Sequence, residues 1–167
     1  SHTADSQDQR HRMVPGSRPL LSRTVPAAVD VVEPRLVREH PRAHALFREA
    51  VEESWDARAR LLALGVGPEN ALYVLPNALA VRFEESGSLL HLLHKWTMRT
   101  CLNAQSEIWE ASMEEIEQVR AVHPGLMEHV GPPCFVRSGL VSPRCTEGTH
   151  FCGIPVWKTF PEIERRI

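Results

Sequence analysis

The chain has almost no excess of charge of either sign. Lys and Arg number 19 against 21 Asp and Glu, a formal net charge of -2. That balance argues against a dedicated nucleic-acid binder, and so does an aromatic content of only 6%. No apolar run reaches transmembrane length and no signal peptide is visible, so a membrane protein or an exported one is not expected. Cysteine is limited to four residues in a chain with no mark of export. Reduced thiols or metal ligands are therefore expected rather than disulfides, and the cytoplasm is the expected compartment. Internal repeats and low-complexity tracts are also missing, which excludes solenoid and linker-dominated architectures.

What remains is a chain of 167 residues, 43% hydrophobic and 24% charged, enough for one domain or most of one with its own core. The charge is uneven: Arg10, Arg12, Arg18 and Arg23 make the first stretch basic. The organising segment is Ser88 to Glu110. Leu89, Leu92, Leu93 and Trp96 recur at helical spacing and predict one buried stripe. His91, Lys95 and Arg99 recur every four residues and predict a second face able to meet an anion. Asn103 is placed to cap a following helix from Ala104 to about Val122. Arg99 and Gln105 then flank the break between helices, where planar polar groups can read a planar ligand. An ordinary amphipathic helix with a solvated basic face is the alternative.

Residues 1–34 show no sustained period. Gln7-Asp8-Gln9-Arg10-His11-Arg12 is their dense spot; in a loop its basic residues can converge on phosphate, and a solvated basic loop is the alternative. Met13 to Pro19 reads as a turn around Pro15-Gly16. A long helix is expected from Glu39 or Pro41 to about 64, with Leu46, Phe47, Ala50, Val51, Trp55, Ala59, Leu62 and Ala63 buried and Arg58 outside the stripe. Gly65 and Gly67 end it, and Pro68 starts a further helical turn. Ala78 to Glu84 alternates as a strand would. In the second helix Ile108, Ala111, Ser112, Ile116 and Val119 mark the buried side, Glu110, Glu114, Glu115 and Glu117 face water, and His123-Pro124-Gly125 stops it.

From Gly131 onward Pro, Gly and Cys become frequent and periodicity disappears. Cys134, Cys145, His150 and Cys152 follow the spacing Cys-x10-Cys-x4-His-x-Cys. Three thiolates and an imidazole satisfy tetrahedral zinc, and a coreless segment gains most from a structural metal. One structural zinc is expected here, with buried free thiols or a disulfide as the alternatives. Four protein ligands would leave no position open for catalysis.

Three features taken together are more specific than any one. Gln7-x-x-Arg10-His11-Arg12 comes first, Leu75-Pro76 follows, and Ser88-Leu89-Leu90-His91 leads to Arg99-x4-Ala104-Gln105-x-Glu107-Ile108. Their order resembles the flavin-dependent thymidylate synthases, over roughly residues 6–120, about the C-terminal two-thirds of a family domain. The resemblance implies an α/β (α+β) fold, helix-rich with few strands, in residues 1–130; the Cys/His spacing adds the expectation of a loop-rich, zinc-stabilised tail in 131–167. It implies reductive methylation of dUMP to dTMP, with methylenetetrahydrofolate as carbon donor, FAD as hydride carrier and NADPH as reductant. By match, Gln7 and Arg10 would contact dUMP, and Arg10, His11 and Arg12 would hold FAD. Arg99 would sit against the pyrimidine and favour its ionised form, and His91 or His94 would face the flavin. A homotetramer with interfacial sites is implied as well, with no membrane or nucleic-acid partner.

The sequence departs from the pattern in places. Leu20 stands where the family has a serine, Leu72 where it has a substrate-binding arginine, and Glu85-Ser86-Gly87 where it has Asn-x-Arg. The family's N-terminal strands and helices have no counterpart ahead of Ser1, so either a segment precedes Ser1 or the chain is a reduced relative. The alternative function is a catalytically silent relative that binds a nucleotide or a partner chain and carries a structural zinc.

Overall fold

The computed structural model describes residues 1–165. It is helix-rich with few strands, in line with the fold class expected from the resemblance, and falls into two compact units. Among the described residues no helix is long and apolar enough to cross a membrane.

The first unit comprises residues 1–10 and 16–85. It opens with α1 (His2–Asp8), in a segment that showed no period in the sequence. The helix is too short to display one. Its end is set instead by Ser1, whose hydroxyl accepts from the Ala4 N–H at 3.2 Å. The main element is α4 (Pro41–Ala63), preceded by the single turns α2 (Leu21–Thr24) and α3 (Arg35–Arg38). Pro41 occupies its first turn and the His40 ring caps it. Gly65, at φ +83°, closes it in the left-handed conformation that glycine adopts without penalty. Pro68 then starts α5 (Pro68–Ala71), as its position predicts.

The buried face of α4 is narrower than the sequence stripe. Phe47, Val51 and Trp55 pack with Leu21, Val25, Val29, Val31, Leu75 and Leu79, whereas Leu46, Ala50, Ala59 and Ala63 are exposed. A thin cover of turns shields only one i, i+4 row. Arg58 sits on that covered side and donates to the carbonyls of Val25 and Pro26 at 3.4 Å. The strand expected over 78–84 is largely replaced by an antiparallel bridge of Val31 with Leu79, because 78–80 finds only a short partner there. Pairing resumes at β1 (Gly16–Ser17) and β2 (Glu84–Glu85), which run antiparallel.

The second unit comprises residues 11–15 and 86–165 among those described. Its frame is α6 (Leu89–Arg99) against α7 (Ser106–Val122), followed by α8 (Pro124–Met127). Trp96, Ile116, Met127 and Val130 form one core cluster, with Leu92, Leu93, Val119 and Phe160 against it. Leu89, at the helix start, is exposed instead. The cap of α7 is Gln105, whose side-chain oxygen accepts from the Ile108 N–H at 3.3 Å, and not Asn103. Ala111 faces solvent, while Trp109 and Met113 are buried.

The segment from 131 onward has no periodicity but does have a core. Val156, Ile154, Phe160 and Ile163 pack on Leu102, Trp109 and Met113. The single turn α9 (Pro133–Val136) lies in this segment. Gly131 is needed there, since a Cβ would stand 2.7 Å from the Phe135 ring and 2.9 Å from that of Phe160.

Candidate functional site

Gln7 and Arg10 belong to the first unit. His11, Arg12, His91, His94, Arg99 and all four cysteines belong to the second.

In the first unit, α1 presents the Gln7–Arg10 stretch from a fixed base. The His2 and Thr3 N–H groups donate to the carbonyls of Leu79 and Asn77 at 2.9 and 3.2 Å. Asp5 and Asp8 are both buried and one arginine bridges them, with Gln9 Nε2 also donating to Asp5 Oδ2 at 2.8 Å. Arg18 donates Nε to Asp5 Oδ1 at 2.6 Å and Nη2 to Asp8 Oδ2 at 3.2 Å. Its guanidinium also lies 4.5 Å over the Phe83 ring. A planar fork is suited to bridging two carboxylates one helical turn apart. The pairing of Asp5 with Asp8 at i, i+3 was the signal in the sequence that this Arg is structural. Gln7 is half-buried and Arg10 is exposed.

In the second unit the two motif stretches meet. Arg99, the last residue of α6, donates Nε–H to His11 Nε2 at 2.8 Å across 88 positions of sequence. Both ends of that bond are anchored. The Val14 N–H donates to the His11 carbonyl at 2.9 Å, and Val14 is buried with Gly87 beside it. Thr100, next to Arg99, is fully buried and returns its hydroxyl to the Trp96 carbonyl at 2.7 Å. His94 meets the His11 ring edge-on, centroids 5.9 Å apart at 67°. Of the two histidines left open by the sequence, His94 is thus the one in ring contact with His11. His91 is half-buried on α6, and Arg12 is exposed.

Lys95 does not share an anion-facing surface with His91 and Arg99. It is 2% exposed, and its Nζ donates to Glu115 Oε1 at 3.1 Å. Trp96 Nε1 donates to the other carboxylate oxygen at 2.6 Å, so Glu115, expected to face water, is a half-buried tie between α6 and α7. The four-residue recurrence is real, but α7 covers the middle of the row.

The expected zinc set is not assembled. Among the described residues no group of three or more His, Cys, Asp or Glu side chains is arranged to hold a metal ion. All four cysteines are free thiols, half-buried. The core formed by Trp109, Met113 and Val156 supplies the cohesion that a metal was expected to give, with Cys134 and Cys152 packed against it. The His150 backbone is engaged too: Asn103, read as a helix cap, donates Nδ2 to its carbonyl at 2.8 Å. Asn103, Glu147, His150, Phe151 and Cys152 line an open cleft of about 570 Å³. Burial pushes the Cys134 thiol up to about 11, with Cys101, Cys145 and Cys152 adding to it by like charge. Burial also raises Cys101. Cys101, outside the expected set, is therefore a neighbour of the tail thiols.

Arg99, expected against a pyrimidine, and His11, expected on a flavin, are thus bonded to each other. The Thy1 family model, thymidylate synthase complementing protein, matches residues 1–125. The chain belongs to that family.

Its relatives agree. A flavin-dependent thymidylate synthase from Geobacter sulfurreducens is 32% identical over 131 residues, 78% of this chain and 50% of that protein. One from Sulfurisphaera tokodaii is 32% identical over 100 residues, 60% of this chain and 39% of the relative. The chain thus spans between about two-fifths and half the length of these curated relatives. Among solved structures, a UMP/dUMP methylase, PolB, from Streptomyces cacaoi bound with 5-Br dUMP superposes with a TM-score of 0.64 at 19% identity, covering 71% of this chain and 62% of that one. That likeness establishes the shared fold.

Proposed function

We propose that this chain is the nucleotide- and flavin-facing part of a flavin-dependent thymidylate synthase that methylates dUMP reductively to dTMP. Methylenetetrahydrofolate would supply the carbon and NADPH the reducing equivalents. The observation that carries this reading is the 2.8 Å bond from Arg99 to His11, which joins two stretches the family uses together.

Arg99 is the residue for the pyrimidine. A guanidinium stays charged, and its planar fork matches the acceptor edge of a uracil ring and favours the ring's ionised form. By the same resemblance, Gln7 and Arg10 are proposed as nucleotide contacts. The residues present also suit FAD: Arg10 and Arg12 are exposed cations of the kind a pyrophosphate requires, and His11, between them in sequence, offers a ring in edge contact with that of His94. FAD, when bound, supplies the hydride chemistry. The protein's own work is to orient the ring and hold charge against it. Exposed Leu36, Leu46, Leu64 and Tyr73 give the chain apolar surface suited to covering by further copies, and a homotetramer is the assembly proposed.

The test is a FAD and dUMP titration of the full-length protein, followed by a dTMP assay with methylenetetrahydrofolate and NADPH. Saturable binding of both ligands and dTMP formation are expected. A second reading, a silent nucleotide-binding relative, is favoured by one observation: Leu20, where the family has a serine, is 53% exposed and offers no polar group. Binding of both ligands without dTMP would select it. Binding of neither would remove the flavoenzyme reading.

A further inference from the structure

We infer that His11 is a positioning residue for Arg99, held as the neutral tautomer protonated at Nδ1 so that Nε2 can accept the guanidinium Nε–H and aim the rest of the fork. The inference deepens the proposed function, since it assigns the orientation of the residue that would meet the pyrimidine.

The tautomer follows from donor and acceptor chemistry. Arg carries five N–H donors and no acceptor, and it does not deprotonate in proteins. At 2.8 Å from Arg99 Nε, the His11 Nε2 atom must therefore present a lone pair. A neutral imidazole with a bare Nε2 carries its proton on Nδ1. An imidazolium would set N–H against N–H and one positive charge against another. His11 is thus a chemically specified partner, not an incidental neighbour.

The consequence for Arg99 is geometric. A guanidinium is planar, so fixing its Nε–H direction and the plane fixes where the two Nη groups point. The stem is already held: Arg99 ends α6, Thr100 is buried and bonded to the Trp96 carbonyl, and Trp96 is 2% exposed and tied to Glu115. The bond to His11 restrains the side-chain end. Its own place is set by the Val14 N–H on its carbonyl and by the His94 ring edge. A fork oriented before the ligand arrives needs no reordering during the reaction.

Two measurements on the full-length protein test this. The first needs no ligand: long-range proton–nitrogen correlation spectra of the His11 ring. A protonated Nδ1 and an unprotonated Nε2 are expected, with the pattern altered in Arg99→Lys. A ring protonated at Nε2 overturns the inference. The second compares His11→Gln with His11→Leu, after denaturation has shown equal folding. A Gln carbonyl can reach the place of Nε2 and accept from Arg99; Leu cannot. His11→Leu should lower kcat for dTMP on the order of tenfold or more, the loss of a charge-assisted bond, with a smaller change in the dUMP KM. His11→Gln should recover most of kcat. Equal losses in both variants overturn the inference. A protein that binds neither FAD nor dUMP would end the flavoenzyme reading, while the ring spectra would still decide the tautomer and its link to Arg99.

Discussion

Lys95 and Glu115 form an ion pair of unequal burial: the ammonium is 2% exposed and the carboxylate is at the edge of solvent, 3.1 Å away. Burial of an ammonium is costly unless a carboxylate meets it, and Glu115 also receives Trp96 Nε1 at 2.6 Å.

The two ends of this pair should therefore respond differently to mutation. Glu115→Ala removes the carboxylate from a buried cation and from a buried indole N–H, and should cost about 3 kcal/mol. Lys95→Met leaves Glu115 partly solvated and still bonded to Trp96, and should cost about 1 kcal/mol. Urea denaturation of the two variants checks the order. Equal costs would mean that the burial asymmetry carries no energy.

Arg18 should not tolerate conversion to Lys. A single ammonium cannot reach both Asp5 and Asp8 or lie flat over Phe83 as the fork does. Arg18→Lys is expected to destabilise by about 1–2 kcal/mol, the worth of one charge-assisted bond. Faster amide exchange in α1, with unchanged exchange in α7, is the expected local signature.

The Cys134 thiol, raised to about 11, should be slow to alkylate. Only the thiolate reacts, and against an ordinary thiol near 9 the thiolate fraction at pH 8 is lower by roughly a hundredfold. Its rate should still be climbing between pH 10 and 11, where an ordinary thiol has levelled off. The stability sign follows. The unfolded chain releases this proton near 9 and the folded chain near 11, so the contribution is complete below pH 9 and is lost as pH rises toward 11. Iodoacetamide labelling followed by mass spectrometry, across pH, measures both the rate and the site.

Arg99→Lys should be severe although it keeps the charge. An ammonium cannot both bond His11 and offer a planar pair of donors, and the loss in dTMP formation should be on the order of a hundredfold. Arg58→Ala, on an arginine that the sequence placed outside the buried stripe, should cost about 1 kcal/mol of stability, because it frees the Val25 carbonyl and leaves that of Pro26 to Trp55 Nε1 alone. It should leave nucleotide binding unchanged. A dUMP titration and a denaturation curve on each variant separate the two effects.

The long helices, their stops and the family were legible in the order of residues alone. Pro41, Gly65, Pro68 and Pro124 act through local backbone chemistry, and Phe47, Val51 and Trp55 repeat on one helical face; such signals are complete within a few residues. The Arg-His-Arg and Arg-x4-Ala-Gln-x-Glu-Ile stretches are likewise legible as order and spacing. Which polar side chains stay open is settled by packing between distant segments. Lys95 is closed by a glutamate twenty positions on, His11 is joined to Arg99 across 88, and Asn103 leaves its capping role for a carbonyl 47 residues away. The physical reason is the same each time. A polar side chain is satisfied by the nearest complementary group in space, and local sequence fixes the direction of the side chain without fixing what the fold brings to meet it.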